Sequence, residues 1–233
     1  MLINMAKFTP GAIISEIRGT IASTTFSKNA AGAIIRNRVK PINRNSAAQN
    51  IQRQLFATIS SAWRGLTQEQ RNSWNEATPD FPYQDSLGQT KQLTGAQLHQ
   101  KLNLNLLLIG ESMINSAPPQ TSFPEFAVGV VTASSSAFTV AFTPDPVPAG
   151  FALMVYATRP LSAGIDFVSQ SDFRLVQTED PAAVSPANIF ANYTSKVSGL
   201  TGQAGKKVFV EIRLVEVASG IASARVRGSA IVA

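Results

Sequence analysis

The 233-residue chain contains no cysteine, which removes disulfides, thiolate-bound zinc, iron–sulfur clusters and thiol nucleophiles from its chemistry. It has a single histidine, His99, so a histidine-rich metal site, or a Ser-His-Asp triad elsewhere in the chain, cannot form. Charged residues make up only 15%, and no Asp/Glu pair falls in a recognisable acid–base motif. Apolar stretches such as Leu104 to Ile109 are far too short to span a bilayer. Met1 to Pro10 lacks an apolar core and a cleavage site, so no signal peptide is expected. Together these absences predict a protein that is not an enzyme, has no catalytic residues, binds no metal or cofactor and does not meet a membrane.

What is present is a strong asymmetry of charge. Met1 to Pro79 holds ten Lys/Arg against Glu16, Glu69 and Glu76, whereas the remainder holds ten bases and eleven acids. A basic third followed by a near-neutral two-thirds points to one part that docks and another that is displayed or acts as a spacer. Hydrophobic residues make up 44%, too many for a disordered chain, and the length allows one large or two small cores.

In the basic third, Ala12 to Arg18, Thr20 to Lys28 and Ala33 to Lys40 alternate as strands do, with turn-competent residues at Asn29 to Gly32. Thr20 to Lys40 therefore reads as a β-hairpin, on which Arg36, Arg38 and Lys40 share one face by period two. Pro41 ends it. Asn45 is the expected N-cap of a helix over Ser46 to Arg64, closed by Gly65. Ala48, Ile51, Leu55, Ile59, Ala62 and Trp63 form its expected buried stripe. Thr67 and Gln70 have capping-box spacing and open a short helix with Trp74 on its inner face. Arg36, Arg38, Lys40, Arg44 and Arg53 are the candidate contacts to a neighbouring subunit or to DNA. No helix-turn-helix or winged-helix pattern accompanies them, which argues against sequence-specific DNA reading.

Tyr83 to Leu93 reads as a small hairpin or ordered loop around Leu87-Gly88-Gln89. Thr94 caps a third helix over Gly95 to Ile109, with Leu98, Leu102, Leu106 and Ile109 on one face and Gly110 as its stop. Leu104, Leu107 and Leu108 widen the apolar surface, so burial on more than one side is expected. Asn103 and Asn105 read as hydrogen-bonded structural amides, and His99 as a surface or core residue without a ligand role.

After Pro118-Pro119 the hydrophobic period changes to two. Strands are predicted over Phe126 to Thr132, Ala137 to Thr143, Ala152 to Thr158, Phe173 to Gln177, Val208 to Val217 and Ser223 to Val232. Val208, Val210, Ile212 and Leu214 alternate with Lys207, Phe209, Glu211 and Arg213. About seven short strands suit an immunoglobulin or fibronectin-III-like sandwich. The expected fold is thus α+β: a basic hairpin-plus-helices module over 1–117, a linker over 118–124 and a β-sandwich over 125–233. Asp166, Asp172, Glu179 and Asp180 lack the spacing of a calcium loop and read as solvated loop charges.

The order of Gly19-Thr20-Ile21-Ala22, Phe26-Ser27-Lys28-Asn29, Ile35-Arg36, Lys40-Pro41-Ile42-Asn43, Trp63 to Thr67 and Arg71-Asn72-Ser73-Trp74-Asn75 resembles a group of tailed-phage virion proteins. Those proteins belong especially to phages of Bacteroidota and the crAss-like lineage. Thr94-Gly95-Ala96-Gln97-Leu98, Asn103-Leu104-Asn105-Leu106, Gly110 and Pro118-Pro119 extend the likeness. The chain departs from that pattern at Ile42-Asn43-Arg44, where Asn-Pro is common, and at His99, where an aromatic is common. The resemblance implies a structural protein of the virion, made in the host cytoplasm. Its expected role is as a ring or collar component of the neck or tail, a head–tail connector element, that meets copies of itself and other neck, tail or capsid proteins. A capsid decoration protein and a packaged, non-specific DNA-binding protein are the alternatives.

Overall fold

A computed structural model describes residues 5–7, 11, 16–29, 32–38, 43, 45–84 and 89–233. Among them the fold is mixed α+β, with four α-helices and four antiparallel sheets. The chain divides into two compact units, Met1–Asn50 and Ile51–Ala233.

The first unit is a four-stranded sheet of β1 (Met5–Lys7), β2 (Gly19–Ile21), β3 (Thr24–Asn29) and β4 (Gly32–Asn37), in the order β1-β4-β3-β2. The strand expected from Thr20 to Lys28 is broken by a turn at Ala22-Ser23, where Ala22 takes φ 51°, so this stretch is itself a hairpin. The β3–β4 hairpin follows the sequence reading, with Phe26 opposite Ile35 on one face and Thr25 opposite Arg36 on the other. Of the strand expected at Ala12 to Arg18, residues 12–15 lie outside the described residues and Glu16, Ile17 and Arg18 are not in a strand.

Helix α1 (Ala47–Gly65) is opened by Ser46, one residue later than expected. The Ser46 hydroxyl accepts from the Gln49 N–H (3.3 Å), and the Ser46 N–H donates to the Gln49 side chain (3.3 Å), a reciprocal cap. Thr67 and Gln70 cap α2 (Gln68–Glu76), and Thr94 and Gln97 cap α3 (Gly95–Ile109), in the same way. Gly110 ends α3 in the left-handed conformation, φ 86°. Between them β5 (Tyr83–Gln84) pairs with β6 (Thr90–Lys91), and the turn core at Leu87-Gly88 lies outside the described residues. Trp74, Leu98, Leu102 and Leu66 form one core with Ile221.

The rest of the second unit is built from β7 (Ala127–Ala133), β8 (Phe138–Thr143), β9 (Phe151–Ala157), β10 (Arg174–Glu179), β11 (Ala187–Asn188), α4 (Phe190–Lys196), β12 (Lys207–Glu216) and β13 (Val226–Ile231). They form two sheets, β11-β8-β7 and β10-β9-β12-β13. Phe138, Val140 and Phe142 of the first sheet share a core with Leu153, Val155, Val208, Val210, Ile212 and Leu214 of the second. That is the alternation seen in the sequence, with one strand face buried against the other sheet. The two elements absent from the sequence reading, β11 and α4, are only two and seven residues long. Tyr193 anchors α4: its ring meets Phe138 edge-on at 4.9 Å and its hydroxyl donates to the Thr158 carbonyl (2.8 Å).

The expected boundary at 118–124 does not separate compact units, because α3 is packed into the β region. The Asn105 side chain donates to the Gly220 carbonyl (2.8 Å) and accepts from Arg213 Nη2 (3.0 Å). Thr121, inside the expected linker, donates to the Glu216 carboxylate (2.6 Å). The change of hydrophobic period at Pro118-Pro119 is real, but it marks a change of element type within one packed body. Gly220 lies against α3 so closely that an added Cβ would come within 2.3 Å of the Leu102 carbonyl oxygen, and its φ is 72°.

Asn105→Ala should therefore lower the unfolding free energy by about 2–4 kcal/mol, since two buried hydrogen bonds are lost and the Gly220 carbonyl is orphaned. Gly220→Ala should cost about 2 kcal/mol or more through clash and backbone strain. Urea melts of both variants, with unchanged slope, check this.

Candidate functional site

The sequence-predicted basic residues divide between the two units. Arg36 stands exposed on β4, opposite Thr25, and the next strand pair on that face sets Lys7 opposite Ile34. Thr20 and Thr25 hydrogen-bond across β2 and β3 on the same face (3.2 Å), so this face sets Arg36 and Lys7 among threonines and Ile34. Arg38 follows the end of β4 and is exposed, its N–H donating to the Ser23 carbonyl (2.7 Å). Lys40 and Arg44 lie outside the described residues. Arg53 is exposed on α1, in the second unit. Glu16 is the acid of the basic unit: Arg18 Nη2 lies 2.9 Å and Lys28 Nζ 3.7 Å from its carboxylate. The Arg18 hydrogen bond and both positive charges hold the Glu16 carboxyl below the usual range.

The apolar stripe of α1 is buried only in its C-terminal half. Ile59 is fully buried and Leu55, Ala62 and Trp63 are half-buried, but Ala48 is exposed and Ile51 is 55% exposed; Phe56, outside the expected stripe, is 45% exposed. The continuous buried stripe expected from Ala48 to Trp63 is therefore corrected. Spacing specified the face, but the fold of one chain covers only part of it.

A second cluster was not anticipated. The alternation along β12 that buries Val208, Val210 and Ile212 sends Lys207, Phe209, Glu211 and Arg213 to the opposite sheet face. Glu211 is fully buried there, bonded to Arg225 Nη1 (2.8 Å), Arg227 Nε (3.0 Å) and the Gln170 side chain (3.0 Å). Burial alone would raise its pKa. The Gln170 and Arg227 hydrogen bonds and the Arg225 charge outweigh that and hold it below the ordinary 4.5. Arg213 and Arg225 lie over the Tyr156 ring at 5.4 and 5.6 Å, and Arg227 over Phe173 at 5.0 Å. Beside them a cleft of about 200 Å³ is lined by Phe167, Val168, Phe173, Phe209, Asp166 and Arg227. The strand patterns did not reveal this group, because Phe167 and Val168 come from a loop outside the predicted strands. The period-two charges of β12 and of Arg225 and Arg227 were the available signal.

His99 is a core residue, wedged between Trp63 and Trp74 with ring centroids 5.3 and 5.1 Å away. Neither ring nitrogen has a hydrogen-bond partner among the described residues, and burial pushes its pKa below 6.5. Asn103 bonds the His99 and Ile114 carbonyls and accepts from the Ile114 N–H (2.8 Å), the structural role expected of it. Asp166 pairs with Lys207 at 2.9 Å. Among the described residues no group of three or more His, Cys, Asp or Glu is placed to hold a metal, and no helix is long and apolar enough to cross a membrane. Comparison with family models, curated proteins and solved structures returns no match to this chain.

Both buried groups make stability fall with acid. A neutral buried His99 binds its proton less readily than the unfolded chain does, so its contribution is complete above the unfolded pKa of 6.5 and is lost as pH falls below it. Glu211, with a lowered folded pKa, adds a further loss as pH falls from 4.5 through that folded value. Urea midpoints against pH should show the first decline disappear in His99→Leu. Replacing Arg225 and Arg227 together by Ala should cost about 3–5 kcal/mol at neutral pH, because it leaves a buried carboxylate without counter-charge; the same melts measure it.

Proposed function

We propose that this chain is a non-enzymatic structural protein of a phage virion, a ring or collar component of the neck or tail that assembles from copies of itself. The observation that carries the reading is the half-covered stripe of α1, with Ile51 and Phe56 exposed beside Arg53. An apolar strip continuous with a folded core and edged by arginine has the composition of an interface centre. Arg36 and Arg38 add exposed positive charge in the other unit.

A second copy fits as the occupant because the chain carries both charge partners. Its first 79 residues are basic, while the near-neutral remainder holds eleven acids, among them the exposed Asp172, against ten bases. A contact of one patch with a different patch is heterologous, and heterologous contacts close into rings when the rotation permits. The resemblance to tailed-phage virion proteins points the same way. In this reading the paired sheets β11-β8-β7 and β10-β9-β12-β13 form a fibronectin-III-like sandwich that acts as a spacer or as the surface facing the next ring.

The face of β4 and β1 that carries Arg36 and Lys7 favours a second reading, non-specific binding of DNA through phosphates. The two are separated by one set of measurements. The purified chain should form closed oligomers by light scattering and negative-stain microscopy, and Ile51→Asp with Phe56→Asp should leave monomers with unchanged circular dichroism. A wild-type chain that stays monomeric yet binds duplex DNA, with affinity falling steeply as salt rises and lost in Arg36→Ser with Arg38→Ser, would replace the ring reading with the DNA one.

A further inference from the structure

A cleft of about 380 Å³ opens among the loop after β9, the start of β10 and the end of α4, lined by Arg159, Asp172, Arg174, Lys196 and Val197. Three cations from three separate stretches converge there with one acid. Arg174 Nη1 donates to the Ser171 carbonyl (2.7 Å) and the Phe173 carbonyl (3.3 Å), and Lys196 Nζ donates to the Val176 carbonyl (2.6 Å). Neutral carbonyls thus fix the two side chains without cancelling their charge. The Arg159 side chain has no hydrogen-bond or ion-pair partner among the described residues, and the Asp172 carboxylate forms no ion pair with them.

Gathered cations repel one another, and an anion among them relieves that repulsion. Positions already fixed by the backbone lower the ordering cost of binding. Guanidinium forks match phosphate oxygens in pairs, and an ammonium adds a third contact. Asp172 disfavours a bare anion but accepts a hydrogen bond from a hydroxyl, so a ligand that uses all four groups carries both. We propose that this cleft binds a small hydroxylated phosphomonoester of the sugar-phosphate type, with its phosphate on Arg159, Arg174 and Lys196 and a hydroxyl donating to Asp172.

The test is calorimetric titration of the full chain at low ionic strength with glucose 6-phosphate, inorganic phosphate and glucose. Glucose 6-phosphate should bind more tightly than phosphate, and glucose should not bind. Arg159→Ser, which removes no hydrogen bond or ion pair among the described residues, should weaken glucose 6-phosphate about tenfold. Asp172→Ala, which removes the acceptor, should abolish the preference for glucose 6-phosphate over phosphate, and a preference that survives it would overturn the hydroxyl contact. No saturable binding of glucose 6-phosphate, equal affinity for the two phosphates in the wild type, or an Arg159→Ser variant that binds as tightly as the wild type would each overturn the proposal.

Discussion

The second unit depends on one side-chain amide. Asn105 projects from α3, donates to the carbonyl of Gly220 and accepts from Arg213, so it ties a helix to a β-turn and to the central strand β12 at once. Arg213 Nη2 also lies 2.8 Å from the Tyr156 hydroxyl and 3.2 Å from Met154 Sδ, which extends the tie to β9. These groups are removed from water, where a missing partner costs more than a formed bond contributes. The same joint demands Gly220, since no side chain fits between that turn and the Leu102 carbonyl. Helices and sheets that would otherwise be neighbours along a chain thus become one body.

A sparsely charged chain also handles its charges in two ways. On the outer face of the four-stranded sheet they are drawn in and satisfied, with Glu211 fully buried and the guanidinium groups of Arg225 and Arg227 reaching in from partly exposed positions. Such a network fixes geometry more than it adds stability, because desolvation offsets much of the Coulombic gain. In the basic third, by contrast, Arg36, Arg38 and Arg53 lie on the surface. Charges satisfied internally have no capacity left for a partner, which is why the proposed assembly role draws on the exposed set and on the apolar residues of α1.

This division suits the assembly role proposed above. Repeated heterologous interfaces need a preformed rigid face, an apolar centre and charges that set register. In the proposed assembly the first would come from the joint at Asn105 and the second from Ile51 and Phe56. His99 sits between two tryptophans, where its neutral ring fills space as an aromatic would.

The sequence by itself determined the local elements wherever a periodic run was long or a cap was explicit. Thr67 with Gln70, and Thr94, opened their helices as read, and the alternation from Val208 to Leu214 named the buried face of β12. These features depend on neighbours three or four residues away, or on a period of two, and so are written in order along the chain. Only the tertiary structure decided the rest. A two-residue strand such as β11 and a seven-residue helix such as α4 have too few positions to show a period, and exist because Val140 and Phe138 are there to receive them. The helices and sheets merged across Pro118-Pro119 because Asn105 meets residues more than a hundred positions away. The Glu211 network and the cleft at Arg159, Arg174 and Lys196 likewise join residues remote in sequence, and no local pattern encodes the distance between them.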